Sequence, residues 1–275
     1  MIDYNYRVVI GLIILNYYTN FKNEMGYTDV CNQYVEMLLR SFHKEHAEIL
    51  ADNKQLESYS KEFQINLKDK SGNLETRLAQ NYIINIHSTF SGFLYSYKSL
   101  DGCPLDFSIK APDENILTFI VNNLYNSGIP EKISVLYYVC TYYRLLRNHI
   151  IHNEQVESSE LRIIKSNVFG NAKVEIKKEL FGKLNVAHSC QDLSFDDQVL
   201  FSKCAILLAK HIAYDSTYDL VKHIKKNKSQ LINRYKKLES TKRRKIYLKN
   251  YFRHIYPITD IQKYDEQLNT LISIL

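Results

Sequence analysis

The segment from Arg144 to Asn153, RLLRNHIIHN, groups the side chains of this sequence that are best suited to chemistry. Its two histidines can exchange protons near neutral pH, because an unperturbed imidazole has a pKa of about 6.5. Its two arginines can hold an anion through paired hydrogen bonds. Its two asparagines can orient a histidine or bind an anion. Proton transfer beside a bound anion is the chemistry that these residue types can perform.

The same segment ends a predicted helix that runs from Glu131 to about His152 and begins after a proline. At 100° per residue, Arg147 falls on the apolar stripe that faces inward, whose other members are Ile133, Leu136, Cys140 and Tyr143. An arginine in such a stripe must find an anionic partner or reach a cleft. Arg144, Asn148 and His152 follow one another at i, i+4 and i+8, so they line one edge of the helix.

Residues 147 to 152, Arg-Asn-His-Ile-Ile-His, resemble the Arg-polar-x3-His motif of HEPN domains. These α-helical domains occur in many prokaryotic toxins, phage-defence proteins and RNA-guided effector nucleases. The surroundings are also similar to the family, with an aromatic-rich helix before the arginine and Asn153 after the histidine. Arg144 and His149 form a second Arg-x4-His pair, but Leu145 stands where the family prefers a polar residue. The resemblance therefore favours Arg147 and His152.

The resemblance implies a metal-independent endoribonuclease of toxin or anti-phage defence type, without a cofactor, that acts as a homodimer with RNA bound at a composite cleft. Arg147 would hold the scissile phosphate, His152 would transfer the proton, and Asn148 would orient the histidine or bind the phosphate. The nucleophile would be the 2′-hydroxyl of the RNA, so the products would carry 2′,3′-cyclic phosphate and 5′-hydroxyl ends. An inhibitory antitoxin or an activating partner is expected, and secondary contacts are assigned to Arg144, His149 and Asn153.

Three other interpretations of the motif stay open at this point. Arg147 and His152 could cap the helix C-terminus, where cations complement the helix dipole. The chain could be a catalytically silent helical module that binds RNA or another protein. It could also be the partner of a nucleotidyltransferase that modifies Tyr142 or Tyr143.

The positive charge of the chain is concentrated near its C-terminus. Residues 216–255 contain thirteen basic and two acidic residues, a net charge of +11 against +6 for the whole chain, so the rest carries −5. Apolar residues recur through this arm at helical spacing, which predicts a basic helical arm. A polyanion-binding surface is favoured over a solvated helix face or a membrane surface. The predicted RNA-binding residues are Lys242, Arg243, Arg244 and Lys245.

The pattern along the chain predicts an all-α protein, an HEPN-like helical bundle with a basic helical C-terminal arm. Predicted helices span 4–18, 28–56, 75–100, 114–125, 131–152 and about 195–214, and the second has an apolar face that includes Val30, Tyr34 and Leu38. Segments beside NVFGN, within 161–176, are compatible with a short β-hairpin or an irregular excursion. The predicted segments are 1–74 (N-terminal helices, an extension or part of the bundle), 75–215 (the HEPN-like domain) and 216–275 (the basic module).

Several classes of function lack support in the sequence. It contains no Gly-rich phosphate loop, no GxSxG motif and no paired acidic cluster, so P-loop, α/β-hydrolase and two-metal chemistry are not indicated. The five cysteines form no CxxC pair, which predicts neither a zinc site nor a disulfide framework and fits a reducing cytoplasm. The longest apolar run, Val8 to Leu15, is too short to cross a bilayer, so no membrane anchor is expected.

Overall fold

The structure is a computed structural model. It describes residues 4–65, 74–100, 103, 105–152, 158–170, 174–186, 188–216, 235–238 and 240–255. The regular structure in these ranges is helical, and they contain no strand. The all-α class predicted from the sequence is therefore confirmed for the part of the chain that is described.

The N-terminal helices differ from the prediction in where they break. Helix α1 (Tyr4–Glu45) is continuous, where two helices ending near 18 and starting near 28 were predicted, and α2 (Ala47–Ala51) and α3 (Asn53–Glu62) follow it. No proline interrupts α1, and its two glycines, Gly11 and Gly26, cost only about 1 kcal/mol each, which is too little to end a helix. The helix breaks first at His46, between α1 and α2, and again at Asp52, whose carboxylate accepts the Lys54 N–H at 2.9 Å and caps α3.

Helix α4 (Leu74–Lys98) and helix α5 (Ile116–Leu124) agree with the sequence pattern, and a short 3-10 turn at Phe107–Ile109 lies between them. One side of α4 faces inward, because Tyr82, Ile86, Phe90, Phe93 and Tyr97 are buried at helical spacing along it. The Asn115 side chain caps α5 by accepting the Leu117 N–H at 2.9 Å.

Helix α6 (Glu131–His152) has the bounds predicted for it. Pro130 precedes it and fixes a backbone angle that suits a first helical turn. The stripe predicted to face inward is buried at Ile133, Leu136, Cys140 and Tyr143. This stripe sets the rotation of α6 and therefore the direction of the polar residues at its C-terminal end.

Of the two structures considered for 161–176, a short β-hairpin or an irregular excursion, the hairpin is wrong for the residues described there. The chain forms α7 (Ser159–Lys165), a π-helical segment at Ser166–Gly170 and α8 (Val174–Leu180). The Ser158 hydroxyl caps α7 by accepting the Leu161 N–H at 3.2 Å. Packing outweighs the turn tendency of NVFGN, because Val168 is buried and the Phe169 ring contacts Tyr142 and Phe181.

The remaining helices are α9 (Phe195–Asp215) and α10 (Thr241–Ile255). Helix α9 agrees with the predicted helix from about 195 to 214. Helix α10 confirms that the basic arm is helical over those fifteen residues. The parts of the arm at 217–234 and 256–275 lie outside the described residues.

The chain divides into two compact units, and each is built from separated segments. The first consists of Met1–Lys22, Ser91–Ile133 and Leu207–Leu275, and the second of Asn23–Phe90 and Ser134–Ile206. The second unit contains the whole of the predicted motif. Within the described residues, none of the helices has the length and apolar content needed to cross a membrane.

Each unit has its own buried core. In the first unit the core includes Phe93, Leu94, Phe119, Ile120, Leu208, Ile212, Tyr235 and Leu248, and in the second it includes Ile83, Ile86, Leu136, Val139, Leu146, Leu200, Phe201 and Cys204. The units do not follow the predicted segments 1–74, 75–215 and 216–275, which remain a prediction about sequence modules.

Candidate functional site

The candidate site lies in the second unit, where the last turns of α6 carry the motif. Arg144, Arg147 and Asn148 are half-buried, His149 is buried, and His152 is exposed as the last residue of the helix. Arg147 lies one turn beyond buried Tyr143 on the inward side of α6, and this position explains why its side chain is half-buried.

Both arginines lack partners for part of their hydrogen-bonding capacity. Arg147 donates from Nη1 to Oδ1 of Asn148 at 3.1 Å. The Nε atoms of Arg144 and Arg147 are buried and have no hydrogen-bond partner among the described residues. Neither guanidinium forms a salt bridge with an acidic side chain in the described part of the chain. A buried cationic group with an open donor is costly for the fold, and an anion would satisfy it.

His87, on α4, belongs to the same cluster. Burial, together with the positive charges of Arg147 and Arg144, lowers the pKa of His87 to about 4. The imidazole is therefore neutral at pH 7. The sequence did not assign His87 to the site, because nothing in it pairs α4 with the end of α6.

The electrostatic environment of Arg144 includes one acidic neighbour. Burial lowers the pKa of the Arg144 guanidinium, while Glu160 on α7 and the Tyr137 phenol act in the opposite direction. Arginine remains charged at neutral pH under such shifts. The cluster of Arg144, Arg147 and neutral His87 is thus cationic, and the exposed carboxylate of Glu160 acts on Arg144.

The two histidines of the motif differ in access to solvent. His149 is 4% exposed, whereas His152 is exposed at the end of α6. His152 follows Arg147 by five residues, which corresponds to about 140° of rotation and about 7.5 Å of rise. The structure therefore leaves His152 available to a substrate and encloses His149. Asn153 lies outside the described residues.

A second polar cluster in the same unit surrounds Asp197, which is fully buried. Its carboxylate accepts the Tyr143 hydroxyl at 2.9 Å and the His188 backbone N–H at 3.1 Å, and the His188 Nδ1 atom lies 2.6 Å from it. It also accepts the backbone N–H and hydroxyl of Ser194 at 3.1 and 3.2 Å. Ser194 and Asp197, three residues apart at the start of α9, have the spacing of a capping box, whereas no sequence signal indicated His188.

The predicted RNA-binding residues on α10 fall into two groups. Lys242 and Arg243 are exposed, while Arg244 and Lys245 are half-buried. Arg244 donates from Nε to the Leu238 carbonyl at 2.8 Å, and its guanidinium lies 5.1 Å from the centre of the Tyr235 ring. Arg244 therefore stabilises the start of α10, and the two exposed residues are better placed to meet a ligand.

The described residues contain no group of three histidine, cysteine, aspartate or glutamate side chains arranged to hold a metal ion. Comparison of the chain with protein-family models, with curated proteins and with solved structures finds no match. Function is therefore inferred from the residues and their geometry.

Proposed function

We propose that this protein is a metal-independent endoribonuclease of toxin or anti-phage defence type, with its site at the C-terminal end of α6. The observation that carries the proposal is the pair of half-buried arginines, Arg144 and Arg147, whose Nε donors lack partners among the described residues beside an exposed histidine on the same helix. A phosphodiester supplies the negative charge and the acceptor oxygens that this arrangement lacks.

In this proposal the guanidinium of Arg147 binds the scissile phosphate, and Asn148, already bonded to Arg147, fixes its direction. His152 removes the proton from a ribose 2′-hydroxyl, whose oxygen attacks the phosphorus. The bond to the 5′-oxygen breaks, and a second imidazole, His152 of the partner subunit in a homodimer, protonates the leaving oxygen. The products are a 2′,3′-cyclic phosphate and a 5′-hydroxyl. DNA lacks the 2′-hydroxyl and is not cleaved.

The test is incubation of the purified protein with total cellular RNA in EDTA, comparing wild type with His152→Ala. His152 is exposed, so its removal should leave the fold intact while cleavage is lost. The matched control is His211→Ala, which removes a partly exposed histidine on α9. The Nδ1 atom of His211 lies 3.6 Å from Oδ2 of Asp215. Cleavage by wild type and the control, with cyclic phosphate ends, supports the proposal.

Cleavage that persists in His152→Ala would contradict the assigned role. No cleavage by wild type, together with RNA binding that depends on Lys242 and Arg243, would favour the second candidate, a catalytically silent RNA-binding module. The exposure of those two side chains on α10 is the observation that favours this candidate. Binding of RNA without cleavage separates it from the nuclease.

A further inference from the structure

The outward face of α1 is apolar over three turns. The sequence pattern predicted an apolar face at Val30, Tyr34 and Leu38, and such a face normally packs against the rest of a protein. In the structure it points into solvent. The exposed fractions are 72% for Tyr27, 64% for Val30, 59% for Tyr34, 55% for Met37 and 51% for Leu38. These five residues are named the α1 face.

The opposite side of α1 packs on the second unit, and it is partly polar. At 100° per residue, Tyr34 lies about 180° from Met25, which is fully buried. Asp29 accepts the Ser202 hydroxyl at 2.6 Å and the Gln198 side-chain amide at 3.2 Å. Asn32 is also buried. Helix α1 therefore places polar groups beside Met25 against its own unit, while a row of apolar groups on its opposite side lies in water.

The exposed area is large for a surface that stays in water. Tyrosine offers roughly 200 Å² of surface and the aliphatic residues somewhat less, so the α1 face exposes about 600 Å². The largest apolar patch on a typical monomer covers about 300–600 Å² and is often functional, and a standard interface takes about 800 Å² from each partner. The α1 face thus supplies most of one side of a stable interface.

We infer that the α1 face binds the same face of a second copy of this chain, with the two α1 helices antiparallel about a two-fold axis. Residues 27–38 contain no basic side chain, and their two acidic side chains, Asp29 and Glu36, lie on the opposite side of the helix. The α1 face is therefore uncharged and offers no cation to bind the phosphates of a nucleic acid. An isologous interface requires a surface that can pack against an identical copy of itself. The uncharged α1 face meets this requirement, because two copies bring no like charges together. The proposed ribonuclease activity also invokes a homodimer, but the α1 face is argued from its own exposed residues and does not rest on that activity.

The axis passes near the middle of the stripe, between Val30 and Tyr34. In that arrangement the Tyr34 side chains of the two copies lie close to each other and to Val30 of the partner subunit. A charge placed at position 34 therefore meets its own copy, so like charges repel and opposite charges attract.

The experiment measures the oligomeric state of the full chain without RNA, by sedimentation equilibrium over a wide range of concentration. Wild type is expected to dimerise. Tyr34→Lys and Tyr34→Glu, each alone, should raise the dissociation constant about thirtyfold or more. An equimolar mixture of the two variants should recover much of the affinity of wild type. The control is Tyr95→Lys, which places the same charge at a tyrosine 60% exposed on α4 and should leave dimerisation unchanged.

A crosslinking experiment tests the same geometry. Cys31 is exposed, whereas the other four cysteines are buried. A short bis-maleimide should link Cys31 to Cys31 of the partner subunit, and Cys31→Ser should abolish the product. A monomeric wild type, or a dimer indifferent to charge at position 34, would overturn the inference. Circular dichroism of each variant shows that its helices remain folded.

Discussion

The Nδ1 atom of His188 lies 2.6 Å from Oδ2 of Asp197, a carboxylate with no exposure to solvent. The same carboxylate accepts hydrogen bonds from Tyr143 on α6 and from Ser194 at the start of α9. One buried charge therefore joins α6, α9 and the chain before α9. Because every bond to it comes from a donor, the cluster requires an acceptor at position 197.

Replacing Asp197 with Asn should lower the free energy of unfolding by about 3 kcal/mol. The amide nitrogen of Asn would place N–H donors against the Tyr143 hydroxyl and the backbone N–H groups of His188 and Ser194, which are donors themselves. Urea unfolding measures the change. Asp196→Asn is the control, since Asp196 accepts one bond, from the Asn185 N–H at 2.9 Å, at a site open to solvent. Its cost should stay below about 1 kcal/mol, and equal losses in the two variants would contradict the assigned role of Asp197.

The sequence predicted the features that depend on local pattern. Pro130 and the apolar stripe defined α6, and the same stripe predicted that Arg147 is drawn inward. The cluster of His87 with Arg144 and Arg147 was not predictable, because it joins residues about sixty positions apart. The pairing of His188 with Asp197 also depends on how the chain before α9 folds back.

Two parts of the structure depart from what the local sequence pattern favours, for different reasons. Val168 and Phe169 are taken into helical packing although NVFGN favours a turn. The apolar pattern of α1 correctly indicated a helix, but periodicity does not tell whether the apolar side meets the same chain or another one. Tyr34 therefore lies on the surface although the pattern favoured burial.

His87 should make stability depend on pH below neutrality. Its folded pKa is about 4, against about 6.5 in the unfolded chain. Between these values only the unfolded state binds the proton, so the free energy of unfolding falls as the pH falls, by about 1.4 kcal/mol per unit. Above about 6.5 the group contributes nothing, and below about 4 the loss stops growing.

Urea unfolding at several pH values between about 5 and 7 measures this dependence, and the range avoids most carboxylate titration. His87→Gln removes the titrating group, so its stability should fall less steeply than that of wild type. The difference between the two slopes isolates His87. Equal slopes would show that the imidazole is not enclosed beside the arginines.

The two groups of basic residues on α10 should respond differently to neutralisation. Replacing Lys242 and Arg243 with Ser should weaken RNA binding and leave the melting temperature unchanged. The logarithm of the RNA-binding constant should also fall less steeply with the logarithm of the salt concentration, by nearly one unit of slope for each phosphate that is no longer bound. Arg244→Ser should instead lower the melting temperature, since it removes the bond to Leu238 and the stacking on Tyr235. Fluorescence anisotropy at several salt concentrations measures the slopes. An unchanged slope for the double variant would exclude RNA binding by these two residues.

Replacing Arg147 with Met should separate function from stability. Methionine fills a similar volume without a buried donor that lacks a partner, so the free energy of unfolding should stay the same or rise by about 1 kcal/mol. RNA cleavage should be lost, and the pKa of His87 should rise because one of the two positive charges that lower it is gone. Urea unfolding and imidazole NMR titration measure the two changes.

The control for this variant is Arg40→Met, which removes an arginine that has partners. Arg40 donates from Nε to Glu36 at 2.8 Å and lies 5.7 Å from the centre of the Phe195 ring, so its loss should lower the free energy of unfolding. A fold that holds an arginine with an open donor does so at a cost to its stability, and a ligand that supplies the missing charge accounts for that cost. If Arg147→Met were the more damaging of the two, Arg147 would be holding the fold together, and the phosphate-binding role assigned to it would lose its physical basis.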